Sequence, residues 1–461
     1  MLRPTLSSAV QRLPFKPLLL SGLLLSLSST VLSMDLLQAY QAAQQQDATI
    51  LASRAAAQAG RERLPQARSQ LLPSISASVG RNQNNLVSIV PNSLGQEQTS
   101  ESHYPSSNRT LTLRQPLFRS YLAAQYRQAE AQVQDAEATL AQDEQNLAVR
   151  VSGAYFEAML THEQLDLILA QRKAYTTQLD AARKSLAGGS GTRTDVDDAQ
   201  ARLDMNAAQE IEARQNMDYT LKQLETLVNQ PVDKLAALDV AKLELLDPQP
   251  NVLQDWIDRA EARSPQLQSL RAQAEASRQE VKKASAGHTP TLDAVAQWSR
   301  SESENILNVQ SSYTNGSVGL QLNIPIFSGG YVNSTVRQAL AGQEHAEQSL
   351  EAGRRDLGVR VYKEFRGMTE NIPKVRALEL ALRSADQLVL SSRKSFQAGS
   401  RTVMDVLNAE QQRMVVLRDL AQARYMYLIS KIRLLALVGA ADDEAVAAIN
   451  RMLKSLSLIH I

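Results

Sequence analysis

The chain contains no cysteine among its 461 residues. Disulfide bonds, zinc sites built from thiolates and a cysteine nucleophile are therefore excluded. The same absence removes the acylated cysteine that a lipid-anchored protein would carry at its mature N-terminus. Any attachment to a membrane must therefore use other chemistry.

Aromatic residues and an excess of one charge are also lacking. Phe, Trp and Tyr make up 4% of the sequence although 43% is hydrophobic, which favours long helices rich in Ala and Leu over thick globular cores. The 49 basic residues nearly balance the 48 acidic ones, leaving a formal charge of +1 without a basic block. The sequence therefore predicts no nucleic-acid partner and shows no footprint for an anionic lipid surface.

Long apolar runs are missing beyond the N-terminus, where no stretch approaches the ~18 residues of a membrane-spanning helix. The N-terminus itself has Arg3, Arg12 and Lys16 before an apolar run at 18–27, and residues that suit signal peptidase follow up to Ser33. This pattern predicts a secretory signal peptide over residues 1–33. A single membrane anchor, the alternative, fits less well because the run is short and interrupted by serines.

Groupings that would support catalysis are absent from the sequence. The five histidines do not combine with carboxylates into a metal-ligand set. The segment Gly188–Gly191 lacks the Lys-Ser/Thr that follows in a phosphate-binding loop. No Ser, His and Asp grouping precedes a strand-to-helix elbow. We therefore predict no metal, no cofactor and no enzymatic activity.

The sequence does contain one pattern twice. Residues 183–199 and 393–409 share an Arg-Lys-Ser, a Gly-Ser, a Thr and an Asp-Val, all at the offset of 210 that separates Lys184 from Lys394. Nearer the N-terminus, Pro73 matches Pro290 at an offset of 217. The chain is therefore predicted to be an internal duplication, with repeats at 34–230 and 255–440, a linker at 231–254 and a tail at 441–461. The last six residues resemble translated sequencing adaptor and are given no function.

A β-hairpin is predicted in each repeat, at about 73–118 and about 290–327. After each of the two prolines apolar residues occupy every second position, as in a strand with one apolar and one polar face. A second alternating stretch follows a polar, turn-rich segment, which lies at about 82–108 in the first repeat and about 301–316 in the second. The apolar positions, expected to face lipid if the hairpins enter a membrane, are Ile75, Val79, Leu111, Leu113, Leu117, Leu292, Val318, Leu320, Leu322, Ile324 and Ile326.

Long helices are predicted after each hairpin. Taking residues 120–187 as one helix gives roughly 68 residues, or about 100 Å at about 1.5 Å per residue. A tip turn at 187–194 separates it from a second helix, and apolar residues spaced by three, four and seven predict coiled-coil packing, with Glu210 breaking the series. The second repeat follows the same plan with a tip turn at 397–404, and Pro373 is expected to break its long helix. The linker is expected to hold one short helix.

Alternating strands without another membrane segment are typical of an outer-membrane β-barrel. The alternative is a half-buried sheet in a soluble protein. Four strands in lipid would leave unpaired edges, and closed barrels need about eight strands, so at least two chains must combine. Aromatic residues near the strand ends favour the barrel, since rings gather at bilayer interfaces. They are Phe118, Tyr121, Phe327 and Tyr331 on the helix side and Tyr104 and Tyr313 on the loop side.

Together these features resemble the TolC family of outer-membrane export channels. The resemblance rests on the signal peptide, the duplicated hairpins, the Pro-x-Phe at 116–118 and 325–327, the turn at 399–405 and Ala423-Arg424-Tyr425-x-Tyr427-Leu428, and it covers about 35–440. It implies an α+β membrane protein, a homotrimer with a twelve-stranded β-barrel standing on a helical tunnel. It also implies location in the outer membrane of a Gram-negative bacterium with an extension into the periplasm.

The resemblance further implies partners and a gate. Such channels receive proteins (type I secretion) or small molecules (efflux) from an inner-membrane ABC or proton-driven transporter through a periplasmic adaptor. In the family the duplicated turns form a constriction, so the matching residues are expected to gate the channel, with Asn408 replacing an aspartate and Phe396 a tyrosine. The more ordinary role of the two aspartates is helix N-capping. The expected gate residues are Asp195, Asp405, Thr194, Arg401, Asn408 and Phe396.

A periplasmic coiled-coil adaptor is the main alternative, because it also presents long paired helices joined at a glycine turn. An adaptor would need a hydrophobic anchor or a lipid site and one helical hairpin per chain. The sequence instead has two helical hairpins and two pairs of apolar strands.

Overall fold

The computed structural model describes residues 33–304 and 310–454. The predicted signal peptide, apart from Ser33, and the last six residues lie outside the described part. The helices of the first repeat are α1 (Leu36–Gln46), α2 (Ala48–Arg61), α3 (Arg63–Ser69), α4 (Ser120–Ala187) and α5 (Arg193–Val228). Those of the second are α6 (Leu253–Arg263), α7 (Pro265–Ser285), α8 (Tyr331–Gln397) and α9 (Val403–Leu437), followed by α10 (Asp443–Asn450). The strands are β1 (Ser74–Pro91), β2 (Glu97–Phe118), β3 (Thr291–Glu304) and β4 (Gln310–Asn323).

The duplication is visible in the lengths of the long helices. Helix α4 has 68 residues and α8 has 67, while α5 has 36 and α9 has 35. Helix α4 coincides with the single helix that the sequence predicts, because no proline interrupts it. The equivalent residues Ile50 of α2 and Leu267 of α7 are both fully buried.

The expected break at Pro373 is wrong, since α8 continues through this residue. Proline removes one backbone donor and crowds the preceding turn, which costs ~3 kcal/mol in an exposed helix. Here Met368, Ile372 and Val375 are buried on both sides of the proline. Packing of this apolar face therefore keeps the helix continuous.

The main core lies around the middle of the long helices. Tyr155 and Phe156 of α4 pack edge to face, and Phe156 also contacts the ring of Tyr425 of α9. The linker crosses this level without the predicted helix, and the Tyr155 hydroxyl lies 3.1 Å from the Met34 carbonyl and 3.0 Å from that of Ala236. The core thus joins the N-terminal segment, the linker and both repeats.

The four strands form one antiparallel sheet in the order β1-β2-β3-β4, so that β1 and β4 are its edges. The predicted polar, turn-rich segments are wrong for the described residues, because 82–91, 97–108, 301–304 and 310–316 belong to strands. The first hairpin turns only at Asn92–Gln96, where the Asn92 side chain accepts bonds from the amides of Leu94 (2.9 Å) and Gln96 (3.0 Å). Polar side chains do not prevent pairing when the backbone ladder is complete.

The second hairpin ends earlier than predicted. Strand β4 stops at Asn323, so Ile324 and Ile326 are not strand positions. Pro325 lies between them and has no amide hydrogen to donate to a neighbouring strand. Both isoleucines nevertheless have exposed side chains.

Among the described residues, every helix is too short or too polar to cross a membrane.

Candidate functional site

The sheet has a continuous apolar face next to the helices. Ile75 pairs with Leu113, Leu113 with Ala296, and Ala296 with Val318, so the register places one apolar row across all four strands. Of the predicted lipid-facing residues Leu292 is half-buried and the rest are exposed. An exposed apolar patch of this extent indicates a surface that a lipid or a partner covers.

Two of the predicted rings lie on the other face. Tyr104 and Tyr313 stand an odd number of residues from the apolar positions of β2 and β4, so the register places them on the polar face. Trp298, which is not among the predicted lipid-facing residues, lies on the apolar face opposite Leu111 and is exposed. Its side agrees with the alternation of Leu292, Ala294, Ala296 and Trp298 in the sequence of β3.

The helix-side aromatic residues lie where the sheet meets the helices. Phe118, Phe327 and Tyr331 are exposed, whereas Tyr121 is half-buried and accepts a hydrogen bond from Arg119 (Nη1 to Oη, 2.9 Å). Arg119 also donates to the buried Asp293 of β3 (Nε to Oδ1, 2.7 Å). This ion pair fixes the end of the first hairpin to the start of the second.

The two tip turns have the same backbone design. Gly189 and Gly399 each have φ +74°, a conformation that glycine adopts without strain, and each lies in the turn that ends a long helix. Thr192 and Thr402 then cap α5 and α9, accepting from the amides of Asp195 (3.2 Å) and Asp405 (3.3 Å). The repeated sequence is therefore first a helix-turn-helix device.

Asp195 and Asp405 complete reciprocal capping boxes. Asp405 Oδ2 accepts from the Thr402 amide and hydroxyl, both at 2.9 Å, and Asp195 Oδ2 accepts from those of Thr192 at 3.0 and 2.7 Å. The bonds from Thr402 hold the pKa of Asp405 below its usual value. The capping role is thus present, and the carboxylate stays charged at neutral pH.

The other predicted gate residues surround these turns. Arg401 donates to the buried Ser392 of α8 (Nη1 to Oγ, 2.8 Å), while Thr194 is exposed in the first turn of α5. Phe396 is half-buried against an apolar tip cluster formed by Tyr175, Leu179, Ala182, Ala199, Val403 and Leu407. This cluster takes residues from both helical hairpins and packs them together near the tips.

Arg202 makes a polar link that the sequence analysis missed. Its guanidinium extends from α5 to α9, where Nη2 donates to Asn408 Oδ1 (2.7 Å) and Nη1 to Gln411 Oε1 (2.9 Å). From the sequence, Asn408 is expected only as a position where the resembled family has an aspartate. In the structure Asn408 accepts a hydrogen bond that joins the two helical hairpins. No pattern within one helix reveals this contact, since its partners lie about 200 positions later in the chain.

Two buried carboxylates lie further along the same helices. Glu210, which interrupts the predicted coiled-coil series, is buried and bonds to Arg172 (2.8 Å) and Arg214 (2.7 Å). The bond from Arg214 is the main cause that lowers the pKa of Glu210. Glu410 of α9 is likewise buried and pairs with Arg393. Ion pairing therefore lets charged residues occupy inward positions.

Within residues 33–304 and 310–454, no group of three or more His, Asp or Glu side chains is arranged so that it could hold a metal ion. His162 and Asp166 do face each other one turn apart on α4, at 3.3 Å.

The profile of the family described as outer membrane efflux protein matches residues 39–230 and 256–440, one segment in each half. The chain belongs to this family. The efflux-family chain is 33% identical over 435 residues to the alkaline protease secretion protein AprF of Pseudomonas aeruginosa, covering 93% of this chain and 90% of the relative. It is 30% identical over 450 residues to the proteases secretion protein PrtF of Dickeya chrysanthemi, covering 96% of each. It is 29% identical over 450 residues to the outer membrane protein TolC of Escherichia coli, covering 95% of this chain and 88% of the relative.

The fold of this chain is similar to that of a solved outer membrane protein. The outer membrane protein VceC of Vibrio cholerae matches with a TM-score of 0.75 and 17% identity, covering 88% of this chain and 96% of VceC. The predicted combination of long helices with four strands per chain is confirmed. The predicted family, the outer-membrane location and the role as an export channel are also confirmed, which favours the channel over the coiled-coil adaptor.

Proposed function

We propose that three copies of this chain form a channel whose twelve strands close into a barrel. The observation that carries the proposal is the sheet itself, which has open edges at β1 and β4 and one exposed apolar face. Unpaired edges cost several kcal/mol per backbone group in hydrocarbon, so neighbouring copies must pair β4 with β1. The apolar row faces lipid and the polar face lines the pore.

The helix-side aromatic residues then lie at the periplasmic interface of the bilayer, where aromatic rings are favoured. They are Phe118, Tyr121, Phe327 and Tyr331. The long helices continue away from this level and form the tunnel. Their mainly charged and polar exposed surfaces suit an aqueous compartment.

Protein export is the substrate class that the relatives support best. AprF and PrtF are named as secretion proteins for proteases, and both align over nearly the whole chain. We therefore propose that this channel receives proteins from an inner-membrane ABC transporter through a periplasmic adaptor. Small-molecule efflux with a proton-driven transporter is the second candidate, since the matching family is described as outer membrane efflux protein.

Cross-linking between strand edges tests the barrel, and the absence of native cysteine gives a clean background. Ser78→Cys on β1 combined with Ser317→Cys on β4 should yield dimers and a closed trimer with a bifunctional thiol reagent of ~10 Å reach. Thr110→Cys with Ser299→Cys is the matched control, because these residues are direct partners within one chain. If the edge pair gave intrachain products and no interchain products, the trimer would be contradicted.

Cross-linking in cells followed by purification of the channel tests the transport partners. An adaptor and an ABC-type ATPase are expected among the captured proteins. Capture of a proton-driven transporter instead would contradict protein export while leaving the channel assignment intact.

The tips of the helical hairpins are the proposed gate. Asp405 and Asp195 place carboxylates near the three-fold axis of the trimer, where three equal charges repel one another and attract cations. Arg401 and Phe396 hold the turn against α8 and the tip cluster, and Thr194 adds a hydroxyl beside Asp195. Opening then requires the α4–α5 and α8–α9 hairpins to separate.

Arg202 is expected to hold the closed state, because its two bonds join α5 to α9 across that separation. Arg202→Gln should raise the open probability of single channels in planar bilayers, since the shorter side chain cannot reach both acceptors. Arg193→Gln is the control, as Arg193 pairs with Asp197 on its own helix. Equal open probability in wild type and Arg202→Gln would remove this link from the gate.

A further inference from the structure

Three arginines meet on the apolar side of the sheet although they are far apart in the sequence. Arg109 of β2 lies directly opposite Arg300 of β3, and Val79 lies opposite Arg109 on the other side. Arg81 is two residues beyond Val79 and therefore projects to the same face, diagonal to Arg109. All three side chains are exposed. We call Arg81, Arg109 and Arg300 the arginine cluster.

The arginine cluster lacks sufficient negative charge of its own. Like charges directly opposite in an antiparallel pair are destabilising. Arg300 forms an ion pair with Glu302, with 2.8 Å between Nε and Oε1, and a guanidinium carries five N–H donors in all. Arg81 and Arg109 have no carboxylate within 4.0 Å among the described residues. The cluster therefore offers several guanidinium donors to an external anion.

The position of the cluster identifies the anion. On β3 the apolar face runs from Leu292 to Trp298 and ends at Arg300, a length of about 27 Å along the strand at about 3.4 Å per residue, or about 20 Å of height at the strand tilt of about 40° in such barrels. Apolar bands of outer-membrane barrels are about 25 Å tall, so the cluster lies at the headgroup level. It lies at the end of the sheet away from the helices, which is the outer leaflet if the helices extend into the periplasm.

We propose that the arginine cluster binds the phosphate groups of an outer-leaflet phosphorylated glycolipid, one site per chain. Arginine suits phosphate because its planar guanidinium donates two parallel hydrogen bonds. Trp298 adds an aromatic ring beside the glycolipid at the level where the acyl region ends. This inference rests on the proposed trimeric barrel, which fixes the apolar face toward lipid.

The formal net charge of +1 does not indicate this site, because it sums the charges of the whole chain. Arg114, on the same strand as Arg109, lies on the polar face because it is an odd number of residues away. It therefore provides a control on the pore side, since Arg114→Gln removes one positive charge there, the same change as each single substitution within the cluster.

Lipid retention by the intact trimer tests the proposal. Trimers are reconstituted in phosphatidylcholine bilayers that contain a bis-phosphorylated glucosamine-disaccharide glycolipid, re-extracted in mild detergent and weighed by native mass spectrometry. The triple variant Arg81→Gln, Arg109→Gln, Arg300→Gln should retain the glycolipid at least about tenfold less than wild type, whereas Arg114→Gln should match wild type. The dephosphorylated glycolipid should not be retained, and millimolar inorganic phosphate should not displace the lipid.

Conductance of the same samples separates this inference from the proposed function. A triple variant that forms normal channels and keeps the glycolipid overturns the lipid site alone. Equal loss in Arg114→Gln, retention of the dephosphorylated glycolipid, or displacement by free phosphate also overturns it. A wild type that forms no channel overturns the proposed barrel and the lipid site together.

Discussion

At the scale of single residues, Asp405 combines a capping role with a charge that is proposed to lie at the gate. Asp405→Asn keeps a side-chain oxygen that accepts from Thr402, so α9 should lose little of its cap. Cation selectivity and block by multivalent cations should fall, because three charges leave the constriction. Reversal potentials in planar bilayers measure this, with Asp197→Asn on the exposed side of α5 as control. Unchanged selectivity would place Asp405 outside the constriction.

Glu163 predicts a dependence of stability on pH. Its Oε1 accepts from the Tyr425 hydroxyl at 2.5 Å, and burial, the largest effect, raises the pKa of Glu163. A raised pKa in the folded state means that the ionised form costs stability at neutral pH and that this cost disappears as pH falls toward the unfolded value, ~4.3. Arg424 of α9 and Glu379 and Arg383 of α8 line the same cavity of about 510 Å³.

Glu163→Gln should therefore raise the thermal midpoint of the channel at pH 7 to 8. The gain over wild type should shrink as the pH falls toward the unfolded pKa of ~4.3, because wild-type Glu163 then becomes protonated. Glu130→Gln makes the same substitution at an exposed position of α4 outside this cavity and is the control. A gain that stays constant with pH would mean that the ionisation of Glu163 does not limit stability.

The functional residues of the tips can be predicted from the sequence only where the two repeats share a pattern. Asp195 and Asp405 stand out because the same turn occurs twice, and their capping follows from the threonines three residues earlier. Arg202 with Asn408, and Arg109 with Arg300, depend on helix pairing and strand register. Those arrangements are three-dimensional, so a one-dimensional pattern does not contain them.

At the scale of helices and strands, close approach of α2 to α4 depends on Gly60. A Cβ added there would lie 2.6 Å from Ala136 Cβ, which has no flexible end that could move away. Gly60→Ala should therefore destabilise the protein by about 1–3 kcal/mol through overpacking. Gly153→Ala within α4 meets nothing within 4 Å and should stabilise by roughly 0.5–1 kcal/mol. Chemical denaturation of both variants measures the difference, and equal effects would contradict the packing argument.

Helices were predictable where local and tertiary preferences agree. Helix α4 combines an apolar seam, interrupted at Asp143, with freedom from proline, so its two ends follow from the sequence. Helix α8 contains Pro373, and the local rule fails there because packing outweighs it. The outer halves of β1 and β2 were misjudged as turns because polar residues lack the apolar alternation on which strand prediction depends.

At the scale of the whole molecule, the C-terminal helix closes the central core. The apolar residues Val446, Ile449 and Leu453 are buried. The Asn450 side chain accepts a hydrogen bond from the Leu37 amide of α1 at 3.3 Å. The Lys454 amide donates to the carbonyl of Ala237 in the linker at 2.8 Å. One short segment therefore ties the beginning, the middle and the end of the chain together at a single level of the tunnel.

A chain ended after Ala441 should lose this closure. Each exposed apolar side chain removes about 1.5–3 kcal/mol, so the loss should amount to several kcal/mol and lower the temperature at which trimers dissociate in detergent. A chain ended after Lys454 is the control, because it keeps all three buried residues and lacks only the final seven. Dissociation temperatures read from heated gel samples would show the difference. If both truncated chains behaved like the full chain, α10 would contribute nothing to the core, and closure would rest on α1 and the linker alone.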